Sequence, residues 1–549
     1  MELSEAIKYH QSGELEKAEI AYKNILGSDP DNTNVLYFLG ILYYQKQNYP
    51  DAIRYTGKAT ELYPTADNYF NLANIYFDSN DIDSAILNYE NALRLKPDYV
   101  PAYNSLASAY QEKREFDRAM EYLAKSLEIN SNYPETYFNL GNIFEDKGEI
   151  DRAIQCFRKV LELDPNCAQA YVNIGNLLFY KDKVEEEMLC YQKAIELSPD
   201  CPEIYNNLGN IFREKGLIDK SIEYFKKAVE LRPDYAEAHT NLGIDYLTVK
   251  NFDDGLKEYE WRLNYKGITK NLNCPMWDGG DIKGKTLYVY HEQGFGDTIN
   301  FARYITLLSD LGINVLFRSQ QELYSLLKDN IRAEFVDKNT GDDELKFDYH
   351  IPLLSLPHIF KTNVKNIPFK GTYIKANEEK VQYYKKKFFD NDKFKIGINW
   401  KCKNLLYIDQ FRSLPDINSL SCLARFPDVK VYSLQKGPGV EELDNLPEIT
   451  NLGETFNDFS DTAAAMENLD LIITVDTSVA HLSGALGRPT WVLLQFVPDW
   501  RWFLDSDTTL WYENVRLFRQ KEIKNWNPAI NEIFNNLKDQ LMLYTEVSK

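Results

Sequence analysis

The chain has 549 residues, more than one hydrophobic core organises, so several domains are required. Charged residues make up 26% and apolar ones 44%, an ordinary globular composition, and no uncharged apolar run approaches the ~20 residues of a membrane span. A formal charge of −21 argues against a nucleic-acid binder, which needs a basic face. The 7 cysteines lack CxxC spacing and read as free thiols in a reducing compartment, not as a disulfide frame or zinc site. The start, Met1-Glu2-Leu3-Ser4-Glu5, has neither the basic nor the apolar region of a signal peptide, so the expectation is a soluble, cytoplasmic protein.

Self-similarity dominates the first half. Leu72, Leu106, Leu140, Ile174, Leu208 and Leu242 recur every 34 residues, each followed by Gly or Ala and, four positions on, by an aromatic residue or Leu. Small residues return at Ala85, Ala119, Ala153 and Ser221, and prolines at Pro97, Pro165, Pro199 and Pro233. Earlier units run through Leu39-Gly40, Tyr43, Ala52 and Pro64, and through Ala18, Tyr22 and Pro30. This period and order of residue types resemble the tetratricopeptide repeat. About eight helix pairs over residues 1–265 are expected. No pair buries its apolar face alone, so the pairs stack into an α-solenoid with a concave groove.

Most of these residues are core, so function is sought where packing leaves a choice. Asn71, Asn139, Asn173, Asn207 and Asn241 precede the core position, and Asn74, Asn142, Asn176 and Asn210 follow it. An amide both donates and accepts, so a row of them can hold an extended peptide backbone. The row resembles the asparagine ladder of the O-GlcNAc transferase superhelix. The other reading is ordinary repeat consensus, with the amides bonded inside the array.

Residues 266–285 are turn-rich (Pro275, Trp277, Asp278-Gly279-Gly280, Gly284) and read as a connector, with Trp261 and Trp277 packed at the junction. From residue 286 strands alternate with helices. Expected strands are 286–290, 314–318, 334–337, 395–400, 429–433, 469–475 and 490–494. Helices are expected at 297–311, 321–329, 377–388, 417–425, 461–468, 478–486 and 531–544. This alternation predicts two Rossmann-like α/β domains, 286–390 and 391–549, facing each other across a cleft as in the GT-B arrangement, whose first domain would be the acceptor side and second the donor side on the resemblance given below. Neither carries GxxxxGK[ST], and Gly294-Phe295-Gly296 lacks the third glycine of a dinucleotide fingerprint.

The stretch His291-Glu292-Gln293-Gly294-Phe295-Gly296-Asp297-Thr298 joins a strand to a helix through glycines that admit a close ligand, with a carboxylate at its mouth. A second strand-to-helix turn, Asp476-Thr477-Ser478, offers hydroxyls and a helix N-terminus to phosphate, with His481 one turn in. Asp297 and Asp476 can each instead cap a helix, and His481 can be a packed histidine. The run Val475 to Pro489 resembles the donor-binding turn of family 9, heptosyltransferase-type glycosyltransferases, and Gly296-Asp297 resembles the turn carrying their catalytic base. With YEWRL, WDGG, SLQKG and PDWRWFL, the chain resembles bacterial tetratricopeptide proteins bearing such a C-terminal domain.

That resemblance implies an inverting glycosyltransferase. Asp297 would be the base, with Glu292, Gln293, Gly294 and Gly296 around it. Asp476, Thr477, Ser478 and His481 would bind the donor, and Lys401, Lys403, Arg412, Gln435 and Lys436 would be candidates for diphosphate or nucleotide contact. Neither turn carries a DxD motif and no His/Asp/Glu cluster stands out, so no metal is expected, with basic side chains and a helix dipole in its place. A UDP-sugar is the default donor, with ADP-heptose and a CMP-nonulosonate as the other kinships. The acceptor would be a protein docked by the repeats, flagellin among the possibilities. Two readings stand beside it: a non-catalytic scaffold that retains the fold, and a cell-surface glycan transferase whose repeats bind another partner. Trp500-Arg501-Trp502 and Trp511-Tyr512, after the last strand, either wall the cleft or lock the C-terminal helix, and packing is the preferred reading.

Overall fold

A computed structural model of the chain describes residues 3–179, 181, 183–265, 268–270, 272–402 and 409–547. It divides into two compact units, Met1–Ile204 and Tyr205–Lys549. Among the described residues no helix is long and apolar enough to cross a membrane.

The first unit is built of antiparallel helix pairs, Leu3–Gln11 with Leu15–Ser28, Thr33–Gln45 with Tyr49–Leu62, and so on to Ala168–Phe179 with Val184–Leu197. The small residue after each core position sets how closely the two helices of a pair approach. A Cβ on Gly141 would stand 2.7 Å from the Phe157 ring, and one on Gly175 2.8 Å from Tyr191. Pro97, Pro165 and Pro199 lie two residues beyond the second helix of their pairs, where the chain has stopped being helical.

The second unit begins with two more pairs, ending in Ala236–Thr248 and Phe252–Tyr259. Its α/β part holds β1 (Thr286–Tyr290), β2 (Asn314–Arg318), β3 (Glu334–Phe335) and β4 (Tyr349–Pro352) in a parallel sheet of order β3-β2-β1-β4. A second parallel sheet contains β5 (Phe394–Asn399), β6 (Val429–Ser433), β7 (Thr450–Asn451), β8 (Leu471–Val475), β9 (Thr490–Leu494) and β10 (Val515–Arg519), in the order β10-β9-β8-β5-β6-β7. Strand order reverses beside β1 in the first sheet and between β5 and β8 in the second, and ligands of open α/β sheets lie at such reversals.

Several elements differ from the sequence reading. The helix expected at 297–311 starts earlier and breaks into Phe295–Phe301 and Arg303–Asp310. β4, β7 and β10 add strands at sheet margins. The helix Glu378–Phe388, which the sequence reading gave to the first α/β segment, packs with the second: Lys380 pairs with Asp461 at 2.7 Å and Tyr384 donates to the Thr455 carbonyl at 3.2 Å. Trp277 is buried in the common core, while Trp261 stacks on His239 with ring centroids 4.0 Å apart.

One buried cation ties the α/β part together. Arg303 donates to the carbonyls of Asn300 (2.8 Å), Pro368 (3.2 Å), Phe369 (3.3 Å) and Trp511 (3.0 Å) and to the Tyr373 hydroxyl (3.2 Å). It has no carboxylate in ion-pair contact among the described residues; Tyr373, Tyr512 and Trp511 present their ring faces instead.

Candidate functional site

β1 delivers its chain to an extended Gly294, which opens the helix Phe295–Phe301. Asp297 is the third residue of that helix, so it is not the N-cap. Its Oδ2 reaches back to accept the Gly294 N–H at 3.0 Å, and its Oδ1 accepts from Arg501 Nη2 at 2.5 Å. Burial raises the Asp297 carboxyl above its ordinary range, and the Arg501 charge opposes that rise.

β8 delivers the second turn. Thr477, not Asp476, caps the helix Ser478–Leu486: its Oγ1 accepts the Val479 N–H at 3.3 Å and donates to Asn399 Oδ1 at 3.0 Å. That leaves the Asp476 carboxylate facing the Arg412 guanidinium at 3.8 Å. Burial pushes Asp476 up to about 6, with Arg412 acting against it. His481 packs on Trp502, with its Nδ1 3.0 Å from the Tyr512 hydroxyl. Burial lowers its imidazole to about 3, so it is neutral at physiological pH.

The two turns face one cavity of about 800 Å³. Gln293, Gly294, Gly296 and Asp297 line it from the first sheet, Arg412, Asp476, Thr477, Ser478 and His481 from the second. A third wall comes from the end of the repeats through Thr240, Ile244, Tyr259 and Tyr265. The remaining wall is the run for which the sequence reading preferred packing over a place in the cleft wall. Asp499, Trp500 and Arg501 line the cavity, and Trp502 of that run is buried behind it against His481. A guanidinium inside an aromatic run, two residues after an aspartate, was the available signal: a buried cation needs an anion.

Other candidates lie elsewhere. Glu292 has a fully buried side chain that holds Arg262 (2.9 and 3.0 Å) and the Leu354 N–H (3.0 Å), so it is structural. Lys401 pairs with Glu442, and Lys436 donates to the Phe456 carbonyl. Gln435 Oε1 accepts from Asn399 Nδ2 (2.8 Å) and from the N–H groups of Trp400 (3.1 Å) and Lys401 (3.0 Å), fixing the loop after β5. None of these lines the cavity, because nearer protein partners use their polar ends. Lys403 lies outside the described residues.

The repeat amides are half-exposed, and many bond within the array. Asn139 donates to Asn104 (3.4 Å), Asn173 to Asn142 (3.4 Å), Asn241 to Asn206 (3.0 Å) and Asn71 to the Tyr37 hydroxyl (2.9 Å). Asn74 and Asn176 accept from Tyr89 and Tyr191, and Asn210 from Arg213 at 3.5 Å. Asn207 sits in the same row. The first four bonds link one repeat to the next and the last three lie within a repeat, so holding the array together is at least part of what the row does.

Profiles of the tetratricopeptide repeat match residues 33–66, 73–114, 100–133, 134–167, 175–212 and 209–248. The first half is a tetratricopeptide array. Protein FlbA of Caulobacter vibrioides is 22% identical over 291 residues, 48% of this chain and 48% of FlbA, so the match spans about half of either protein. Among solved structures, a tetratricopeptide repeat protein from Parabacteroides merdae is 18% identical, covers 44% of this chain and 96% of its own, and has a TM-score of 0.39. MamA is 30% identical over 31% of this chain and 98% of its own, with a TM-score of 0.29. YrrB, described as having an unusual peptide-binding site, is 23% identical over 33% of this chain and 95% of its own, with a TM-score of 0.27.

Proposed function

We propose that this tetratricopeptide protein is a glycosyltransferase of the GT-B kind, moving a sugar from a nucleotide-sugar donor to a Ser or Thr hydroxyl of a protein held by the repeats. One observation carries the reading. Turns at the carboxyl ends of β1 and β8, from separate parallel sheets, face a common cavity with a carboxylate on one side and a helix N-terminus flanked by guanidinium groups on the other. Its volume, about 800 Å³, suits a nucleotide sugar.

In this reading Asp297 takes the proton from the acceptor hydroxyl as its oxygen bonds to the anomeric carbon. The bond from that carbon to the phosphate oxygen breaks, its electron pair leaves with the diphosphate, and the anomeric centre inverts. Arg501, Arg412 and the N–H groups opening Ser478–Leu486 stabilise the charge on the leaving group. A UDP-sugar is the first donor to try, with ADP-heptose next. A CMP-nonulosonate fits less well, because its leaving group has one phosphate for two guanidinium groups.

A second reading, a scaffold without the reaction, has its own support: both carboxylate oxygens of Asp297 already have protein partners. Thermal unfolding with UDP-, ADP- and CMP-sugars separates the two, followed by mass spectrometry of acceptor proteins, flagellin included. A donor that raises Tm and adds its sugar mass to Ser or Thr, with transfer lost in Asp297→Asn, is the expected result. No stabilisation and no transfer with any donor leaves the scaffold.

A further inference from the structure

Arg501 is only 4% exposed, yet its bonding is incomplete. Nη1 donates to Asp499 Oδ1 at 2.8 Å and Nη2 to Asp297 Oδ1 at 2.5 Å, while Nε–H has no acceptor among the described residues. Its flat faces lie over Trp500 (4.6 Å) and Phe301 (4.9 Å). Asp499 belongs to Arg501's own turn and also accepts its backbone N–H at 3.0 Å, so it anchors the guanidinium locally. Asp297 comes from the other sheet and is the exchangeable partner. The edge made by Nε and Nη2 is the one that grips a phosphate with two parallel bonds, and Arg501 is among the residues lining the cavity.

We propose that Arg501 masks Asp297 while the cavity is empty and exchanges it for the diphosphate of the donor, so that the base is released only when there is a sugar to transfer. This rests on the glycosyltransferase reading above. In the exchange Nη1 stays on Asp499, and Nε–H and Nη2–H turn to phosphate oxygens. Asp297 keeps the Gly294 N–H and loses its cation in a buried place. The groups still acting on it are Asp499, Arg412, the neutral His481 beside Gly296, and the Tyr259 hydroxyl. With burial no longer opposed by Arg501, its affinity for a proton rises. It is then fit to take the acceptor's proton as the new bond to the anomeric carbon forms and the diphosphate departs with its electron pair. Arg501 is thus a positioning residue for the base as well as a ligand for the leaving group.

The test is isothermal titration calorimetry on the full-length chain at pH 6, in two buffers of different ionisation enthalpy, with UDP, ADP and inorganic pyrophosphate as probes. Wild type is expected to bind at least one of them with a proton count more positive than that of Asp297→Asn, the probe's own phosphate proton cancelling in the comparison. Asp297→Asn keeps an acceptor for the Gly294 N–H, and is expected to bind the same probe about tenfold tighter. Arg501→Gln is expected to weaken binding at least about tenfold. If Asp297→Asn binds no tighter than wild type and the proton count is unchanged, the exchange is wrong while the donor site stands. If wild type binds none of the three, the donor reading itself fails and the exchange with it.

Discussion

Gly296 lies so close to the ring of His481 that a Cβ on it would stand 2.7 Å from the imidazole Cδ2. The turn after β1 and the helix after β8 therefore touch through a position where no side chain fits. Gly296→Ala must displace a ring held between Trp502 and the Tyr512 hydroxyl. A cost of roughly 1–3 kcal/mol is expected, seen as a lower Tm, together with weaker stabilisation by any donor that binds.

Two groups at the site make stability depend on pH in opposite directions. His481 is lowered to about 3, below the ~6.5 of an unfolded chain, so its contribution is complete above pH ~6.5 and is lost as pH falls towards 3. Asp476 is raised to about 6, above its unfolded ~3.9, so its contribution is complete below pH ~4 and is lost as pH rises through 6. Asp476→Asn removes only the second. Thermal unfolding should show it raising Tm relative to wild type more at pH 8 than at pH 5; the reverse order would refute the assignment.

Arg262 is 1% exposed and spans Glu260 (2.7 Å), Glu292 (2.9 Å) and the Ser355 hydroxyl (2.9 Å). Arg262→Met strands the buried Glu292 and should cost about 3–5 kcal/mol. Arg262→Met with Glu292→Gln should cost clearly less than the two single losses added together, because the charge goes with its partner. Comparing Tm for the two single variants and the double variant checks this.

The repeat helix that lines the cavity has its own buried support. Asp245 accepts from Arg213 Nε and from the Ser221 hydroxyl, both at 2.5 Å, and is fully buried. A chain shortened to begin at Asp200 keeps all of this, whereas one beginning at Ala236 loses Arg213 and Ser221 and leaves Asp245 unpaired. The first should keep the thermal stabilisation given by whichever donor stabilises the full chain. The second should unfold at lower temperature and lose that stabilisation.

The repeats were legible because a 34-residue period repeats one packing problem six times, and Leu72-Ala73 through Leu242-Gly243 solve it alike. Interior strands were legible as short apolar runs; β1, β2, β6 and β9 have the expected bounds. β10 was missed because Arg516 and Arg519 interrupt its run, and β7 because it has two residues. At the site, glycine beside a carboxylate and hydroxyls opening a helix pointed to Asp297 and Thr477. Lys401, Gln435 and Lys436 lie off the cavity, and a polar end near a strand terminus does not reveal in the sequence whether protein or ligand takes its bonds. Arg501 was hidden for the opposite reason: its aromatic neighbours suggested packing, while its partner Asp297 lies 204 positions away in sequence.

On the glycosyltransferase reading proposed above, the carbonyl cradle around Arg303 bears on how donor and acceptor come and go. Prising the sheets apart would pull a permanently ionised group away from carbonyl acceptors at Pro368, Phe369 and Trp511, with no carboxylate to follow it. A clamshell cycle would meet that penalty at every turnover. Traffic through a standing doorway does not, so turnover should be limited by diffusion of small molecules past the rim and by local side-chain rearrangement, not by wholesale opening and shutting.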